Sequence, residues 1–340
     1  MRKRFMTLLA LLAVFCAAAR GEEAVSALTY AVFPYVPDPG YYQELIEARW
    51  AEMEPEIPLI RAEWNCYRGA APAGIDVVMF DAVTRDALIG AGWIQPIRPE
   101  ALRDAGDFFP YALEGFAVDG LLYGVPVFLC GNFLIYDRED PALAAAARIT
   151  DLAGESGILV ANTEDAGIRH QYAIEAAADA LGEANPARDD GAEEILALLN
   201  RLAVDGHRRD ADREVALAFD AGIGRGYIGF SESMLLLQNR QDRIAIKQIS
   251  FSDRENTPRV YADAAAVTSG AEGLRYLKCL ELIGVMADAE VLTALSVREG
   301  APQYLLLARR SPYRRLAARF PLYAQLEALA DADNHVILTP

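Results

Sequence analysis

The sequence predicts an α/β protein in two lobes with a ligand cleft between them, and three observations carry that expectation. Short apolar runs alternate with helical spacing through the first hundred residues, the pattern of an open α/β sheet. A chain of 340 residues is longer than one hydrophobic core usually organises. Two glycine-flanked strand ends, near residues 130 and 230, place reactive side chain types where turns can present them to a cleft.

The elements follow in order. Ala27 to Phe33 reads as a first strand, and Tyr41 to Met53 has helical apolar spacing through Leu45, Ile46 and Trp50 before Pro55 stops it. Leu59 to Trp64 alternates like a second strand. Ile75 to Phe80 is an apolar run suited to the interior of a parallel sheet, followed by Asp81 and a helix over about 83–90. Leu121 to Pro126 and Phe133 to Tyr136 are extended pieces flanking Cys130, and 164–205 reads as helical and polar, a crossing into the second lobe. Arg213 to Asp220 is helix-like, Gly226 to Phe230 a strand, and Ser231 to Leu237 a new helix for which Ser231 is the expected N-cap. Ile244 to Ile249 is expected to be the return crossover, 253–258 a polar loop, Val260 to Val267 a strand and Gly273 to Ile283 an amphipathic helix, with more helix from Pro312 to Ala330. The resulting division is a leader over 1–20, a first lobe over 21–130, a second over 131–245, and a return to the first over 246–340.

Arg2, Lys3 and Arg4, the apolar stretch Phe5 to Phe15, and Ala17 to Ala19 have the three parts of a secretory signal peptide. The apolar part is shorter than the roughly 20 residues a spanning helix needs, so the expectation is a periplasmic or secreted protein without stable membrane insertion. The formal net charge of −17 disfavours nucleic acid and suits a cationic small ligand. With Cys16 in the leader, Cys66, Cys130 and Cys279 remain, so at least one thiol is free or paired between chains. No metal-ligand spacing links them to His170, His207 and His335, and no cofactor is expected. Cys279 sits among Tyr276, Leu280 and Ile283 at helical spacing and reads as core.

Cys130, in Val125-Pro-Val-Phe-Leu-Cys-Gly-Asn132, offers a nucleophile, and Glu232, in Gly229-Phe-Ser-Glu-Ser-Met234, offers a base. Taken alone, the cysteine reads equally as a small buried hydrophobe and the glutamate as a solvated residue in the first turn of a helix. Tyr35 and Tyr67 are candidates to stack on a flat ring or face a cation. Asp81 and Asp263 follow apolar strands, at the end where open sheets bind ligands. Tyr227 points either into the cleft or away from it, since strand alternation allows both. Asp38, between two prolines, reads as turn chemistry.

The stretches Ile75 to Pro96, Asp119 to Asp137 and Ala218 to Glu232 resemble the type II periplasmic solute-binding fold, whose members hold a small molecule between two lobes. Phe33-Pro-Tyr-Val-Pro-Asp-Pro39, Val125 to Asn132 with Tyr136, and Gly224-Arg-Gly-Tyr-Ile-Gly-Phe-Ser-Glu-Ser-Met234 look further like the thiaminase I family, the thiamine pyridinylases. Val260-Tyr-Ala-Asp263 and Pro302-Gln-Tyr-Leu-Leu306 add to the match. Phe230 departs from it, standing where that family is expected to favour tyrosine. The resemblance implies cleavage of thiamine between its pyrimidine methylene and thiazolium nitrogen, with transfer of the pyrimidine to an amine or thiol co-substrate through a covalent adduct on Cys130. It assigns the proton transfer to Glu232. The chain is expected to be a monomer. Two other functions compete: a carrier of thiamine or a related pyrimidine, and a sugar- or peptide-binding protein. Neither gives Cys130 a purpose.

Overall fold

The computed structural model of the protein describes residues 24–98, 102–181, 192–204, 212–252, 259–332 and 335–339. The leader and the expected loop over 253–258 lie outside them. Three parallel strands, β1 (Leu28–Ala31), β2 (Leu59–Arg61) and β3 (Val77–Asp81), begin the first sheet, with helix α1 (Pro39–Met53) between the first two. Every residue of β3 is buried, the apolar run Val77 to Phe80 and the closing Asp81 alike. Helix α1 starts earlier than the apolar spacing indicates because Asp38 caps it. Its side chain accepts from the Tyr41 amide at 3.3 Å and Pro39 opens the first turn. Tyr42, Ile46 and Trp50, one turn apart, form its buried face, and the Tyr42 hydroxyl donates to the Met286 carbonyl at 2.6 Å.

Besides two short hairpins, Ala117–Val118 with Leu121–Leu122 and Val297–Arg298 with Ala301–Pro302, the remaining described strands are β4 (Val125–Cys130), β5 (Phe133–Asp137), β6 (Leu159–Val160), β7 (Gly226–Gly229), β8 (Ile244–Gln248), β9 (Arg259–Val267), β10 (Leu306–Leu307) and β11 (Val336–Ile337). The first sheet has the order β10-β4-β9-β3-β1-β2, with β11 joined in parallel to the start of β9. Strand β9 lies antiparallel between β3 and β4, with Asp263 opposite Asp81 and Tyr261 opposite Cys130. The β4 register against β9 shifts between Asp263 and Ala264, whose partners are Phe128 and Pro126. That bulge lets a proline sit inside a central strand, where it could not otherwise join the ladder. At the far end of the chain Ile337 packs against Gly115, where an added Cβ would lie 2.4 Å from the isoleucine Cγ1, so only glycine fits.

The second sheet has the order β8-β5-β7-β6. Its faces follow the two-residue period of β5: Leu134 and Tyr136 join one apolar cluster with Tyr172, Leu199 and Phe251, while Phe133 and Ile135 join the core continuous with the first lobe. Helices α2 (Ala166–Leu181), α3 (Ala192–Leu202) and α4 (Asp212–Asp220) belong to this part of the chain. One difference from the sequence reading concerns its border. Ile244 to Gln248 pairs with β5 along its whole length, so the expected boundary at 245 falls inside a strand of the second sheet. Helix α5 (Gly273–Met286) buries Cys279, as expected, and α6 (Leu322–Ala330) leans on β8, where Gln325 accepts from the Ile246 amide at 3.3 Å.

Candidate active site

A cavity of about 850 Å³ lies where the ends of β3, β4 and β9 meet α2 and the segment following β7. Register explains why its polar residues converge. Cys130 is opposite Tyr261, Asp263 is two residues further along β9, and Asp81 is opposite Asp263. Positions two apart on a strand share a face, so all four side chains belong to one side of three adjacent strands. Each of them lines the cavity, as do Tyr35, Tyr67 and Glu232. A smaller recess of about 50 Å³ shares Tyr35, Cys130, Glu232 and Asp263. Two other clefts, of about 400 and 470 Å³, contain no thiol.

Local geometry fixes each member. Tyr67 stands on a single 3₁₀ turn, Cys66–Arg68, begun by Asn65, whose side chain accepts from the Tyr67 amide at 3.0 Å, and ended by Gly69 at φ 63°. From there its hydroxyl donates to Asp81 Oδ2 at 2.5 Å, while Asp81 Oδ1 accepts from the Val83 amide at 2.9 Å. Asp81 is therefore both a helix cap and a member of the cavity wall. Phe33, Tyr35 and Tyr67 form an edge-on cluster, with Phe33 5.3 and 5.7 Å from the two tyrosine rings. Tyr35 is 68% exposed and Tyr67 52%, an unusual exposure for aromatic rings at the edge of a cavity.

Glu232 lies in a 3₁₀ turn, Ser231–Leu236, that follows β7. The expected N-cap at Ser231 is not formed. Phe230 occupies the cap position without a side-chain cap, and Ser231 Oγ lies 3.5 Å from Glu232 Oε2 instead. The turn is held from behind: Ser233 Oγ donates to the Phe230 carbonyl at 2.6 Å and lies 2.8 Å from the Tyr227 hydroxyl. Tyr227 is fully buried, with its ring 5.2 Å from Phe219, and is not among the cavity-lining residues. Of the two directions open to it, alternation along β7 takes the one away from the cleft.

Burial and four carboxylates raise the Cys130 thiol well above its ordinary pKa, Glu232 acting most strongly after burial itself, then Asp263, Asp81 and Glu175. Asp263 is also pushed well up, by burial, Asp81 and Glu232. Burial raises Asp81 too, against hydrogen bonds from Tyr67 and the Val83 amide that favour its charged form. Cys66, buried one residue before Tyr67, is raised mainly by burial, and Cys279, remote in α5, is pushed up to about 12. The described cysteines carry no disulfide.

Several contributors were not singled out in the sequence. Tyr261 is two residues from Asp263, and the strand period alone places it on the same face. His170, Gln171 and Ile174 bring α2 to the cavity, and nothing in their spacing marks it. Glu175 follows Ile168 and Tyr172 along the buried stripe of α2, where a charged residue is out of pattern.

Fold and site together define a two-lobed α/β protein of the type II solute-binding architecture, with a thiol and carboxylates in its cleft. No protein-family model matches the chain. It is 28% identical to thiaminase-1 of Paenibacillus thiaminolyticus, over 98% of this chain and 90% of that one. It superposes on Clostridium botulinum thiaminase I in complex with thiamin with a TM-score of 0.81 at 27% identity, covering 92% of this chain and 94% of that one. For thiaminase I from Bacillus thiaminolyticus the TM-score is 0.82 at 26% identity, with the same coverage. The GacH receptor of Streptomyces glaucescens shares the fold, with a TM-score of 0.66 at 16% identity over 93% of this chain and 88% of that one. The chain is a homologue of thiaminase I along nearly its whole length.

Proposed function

We propose that this protein is a thiamine pyridinylase, which cleaves thiamine at the bond between its methylene and thiazolium nitrogen and transfers the pyrimidine to an amine or thiol. The observation that carries this reading is the pairing of Cys130 and Glu232 in one cavity, the glutamate being the charge that acts most strongly on the thiol. With its pKa raised, Cys130 is held as a thiol at neutral pH. A standing thiolate is disfavoured, so attack needs a base that removes the proton as the new bond forms.

Glu232 takes that proton while Cys130 Sγ bonds to the pyrimidine ring. The bond from the methylene to the thiazolium nitrogen then breaks, its electron pair leaves with the nitrogen, and a neutral thiazole departs. The co-substrate adds to the methylene, its proton goes to a carboxylate, and the ring expels the cysteine sulfur, which regains a proton from Glu232. Asp81 and Asp263, facing one another on adjacent strands, hydrogen-bond the aminopyrimidine or balance the thiazolium. Tyr35 and Tyr67 present aromatic faces to the flat, cationic substrate.

The test is incubation of the purified protein with thiamine and an aromatic amine, with mass analysis of products. A pyrimidine–amine adduct and free thiazole support the reading, and binding without products favours a carrier. The leader 1–20 further assigns the protein to the cell envelope or medium, where its intact mass lacks about the first 20 residues. No helix among the described residues is long and apolar enough to cross a membrane. Scattering that gives the mass of one chain supports the expected monomer.

A further inference from the structure

Glu175 is only 6% exposed, yet it carries a carboxylate on the buried face of α2. It accepts a hydrogen bond from Asn132 Nδ2 at 2.7 Å, and Asn132 is itself buried. Asn132 lies two residues after Cys130, in the short turn by which the chain leaves the first sheet at β4 and enters the second at β5. Gly131, between them, leaves no room for a side chain: an added Cβ would lie 2.9 Å from the buried Phe133 ring. The turn that presents the thiol is thus packed on one side by Phe133 and held on the other by Glu175. Tyr261, the strand partner of Cys130, lies beside the same carboxylate, which after burial itself is the main influence raising the phenol pKa.

We propose that Glu175 is a positioning residue for Cys130, which by holding Asn132 and facing Tyr261 fixes the thiol-bearing turn and ties α2 of the second lobe to the first sheet. A buried carboxylate is costly unless its acceptors are satisfied, and here the groups beside it are those that flank the nucleophile in sequence and across the strand pair. Its charge also contributes, with Glu232, Asp263 and Asp81, to keeping Cys130 protonated. The described polar side chains of α2 that line the cavity, His170 and Gln171, add no such negative charge.

As a catalytic claim this rests on the proposed reaction, and the experiment separates the two. Glu175→Gln keeps an acceptor for Asn132 and removes the charge, whereas Glu175→Ala removes both. For turnover of thiamine with an aromatic amine, the alanine variant is expected to lose roughly 10²-fold in kcat with little change in KM, the scale of a misplaced reacting group, and the glutamine variant to recover most of that loss. In the absence of substrate, Cys130 alkylation by iodoacetamide, followed by peptide mass over about pH 6 to 10, is expected to move to lower pH in Glu175→Gln, with a rate near pH 8 about threefold or more above the unsubstituted protein. Superimposable alkylation profiles, or an alanine variant whose kcat is unchanged, would overturn the proposal. If the unsubstituted protein does not cleave thiamine, the function is wrong, and the alkylation comparison still decides whether Glu175 governs the thiol. Should the alanine variant fail to fold, the glutamine variant decides alone.

Discussion

Asp81 and Asp263 are direct partners across β3 and β9, one carboxylate opposite the other on neighbouring antiparallel strands. Like charges at such positions repel, and both groups are raised from the usual aspartate range, each chiefly by burial. Free aspartates titrate near pH 4, so above that the folded chain holds protons that the unfolded chain has lost, and stability falls as pH rises through the raised values. The pair's favourable contribution is complete only below about pH 4. Asp263→Asn is therefore expected to raise the melting temperature at neutral pH by on the order of 2 °C, with the difference closing on acidification. Thermal melts across pH measure this, and a constant offset would contradict it. The same variant is expected to weaken thiamine binding.

The proposed nucleophile and base make separable predictions. Cys130→Ser abolishes turnover while calorimetry still detects thiamine, and Glu232→Gln slows turnover by roughly 10²-fold or more, the scale of a positioned base. A slow-leaving thiamine analogue leaves a pyrimidine mass on Cys130 of the unsubstituted protein. Turnover by the serine variant at an unchanged rate removes Cys130 from the mechanism.

Tyr35 is exposed, so truncating it has little to disturb in the fold. Tyr35→Ala is expected to raise the thiamine Kd, measured in the Cys130→Ser background, by roughly 10-fold, with the melting temperature unmoved. An unaltered Kd would make the ring part of the surface and not of the site.

Phe230 lines the cavity without a hydroxyl. Phe230→Tyr adds one hydrogen-bonding group there and is expected to lower KM for thiamine by about fivefold, the worth of a single hydrogen bond. Steady-state kinetics check this. A raised KM would show that the pocket has closed around the phenyl ring.

Strands with one strong signal were legible in the sequence. The apolar run before Asp81 marks an interior strand, and Val260 to Val267 reads as a strand around Asp263, but the face that Tyr261 shares with Asp263 emerges only with the register of β9. The side chains brought together at the cavity come from segments whose spacing in sequence says nothing of their approach: Cys130 and Glu232 could be paired in advance only through the family resemblance. Tyr227 was undecided because a strand end offers two faces, and packing on Phe219 chose between them. Ser231 failed as a cap because Ser233, two residues later, bonds the turn to Phe230 and Tyr227. Glu175 carries a signal, an acid in line with Ile168 and Tyr172, that a segment read only as helical and polar conceals.

The position of β9 between β3 and β4 also sets an order of events during synthesis. Both flanking strands leave the ribosome long before Arg259 to Val267 does, and the first sheet cannot join them until that segment arrives. Until then two central strands have open edges, the kind of surface that recruits other chains. A nascent or truncated chain ending before Arg259 therefore carries Cys130 on an unpaired edge, and the first sheet can close only once the last quarter of the chain is being made.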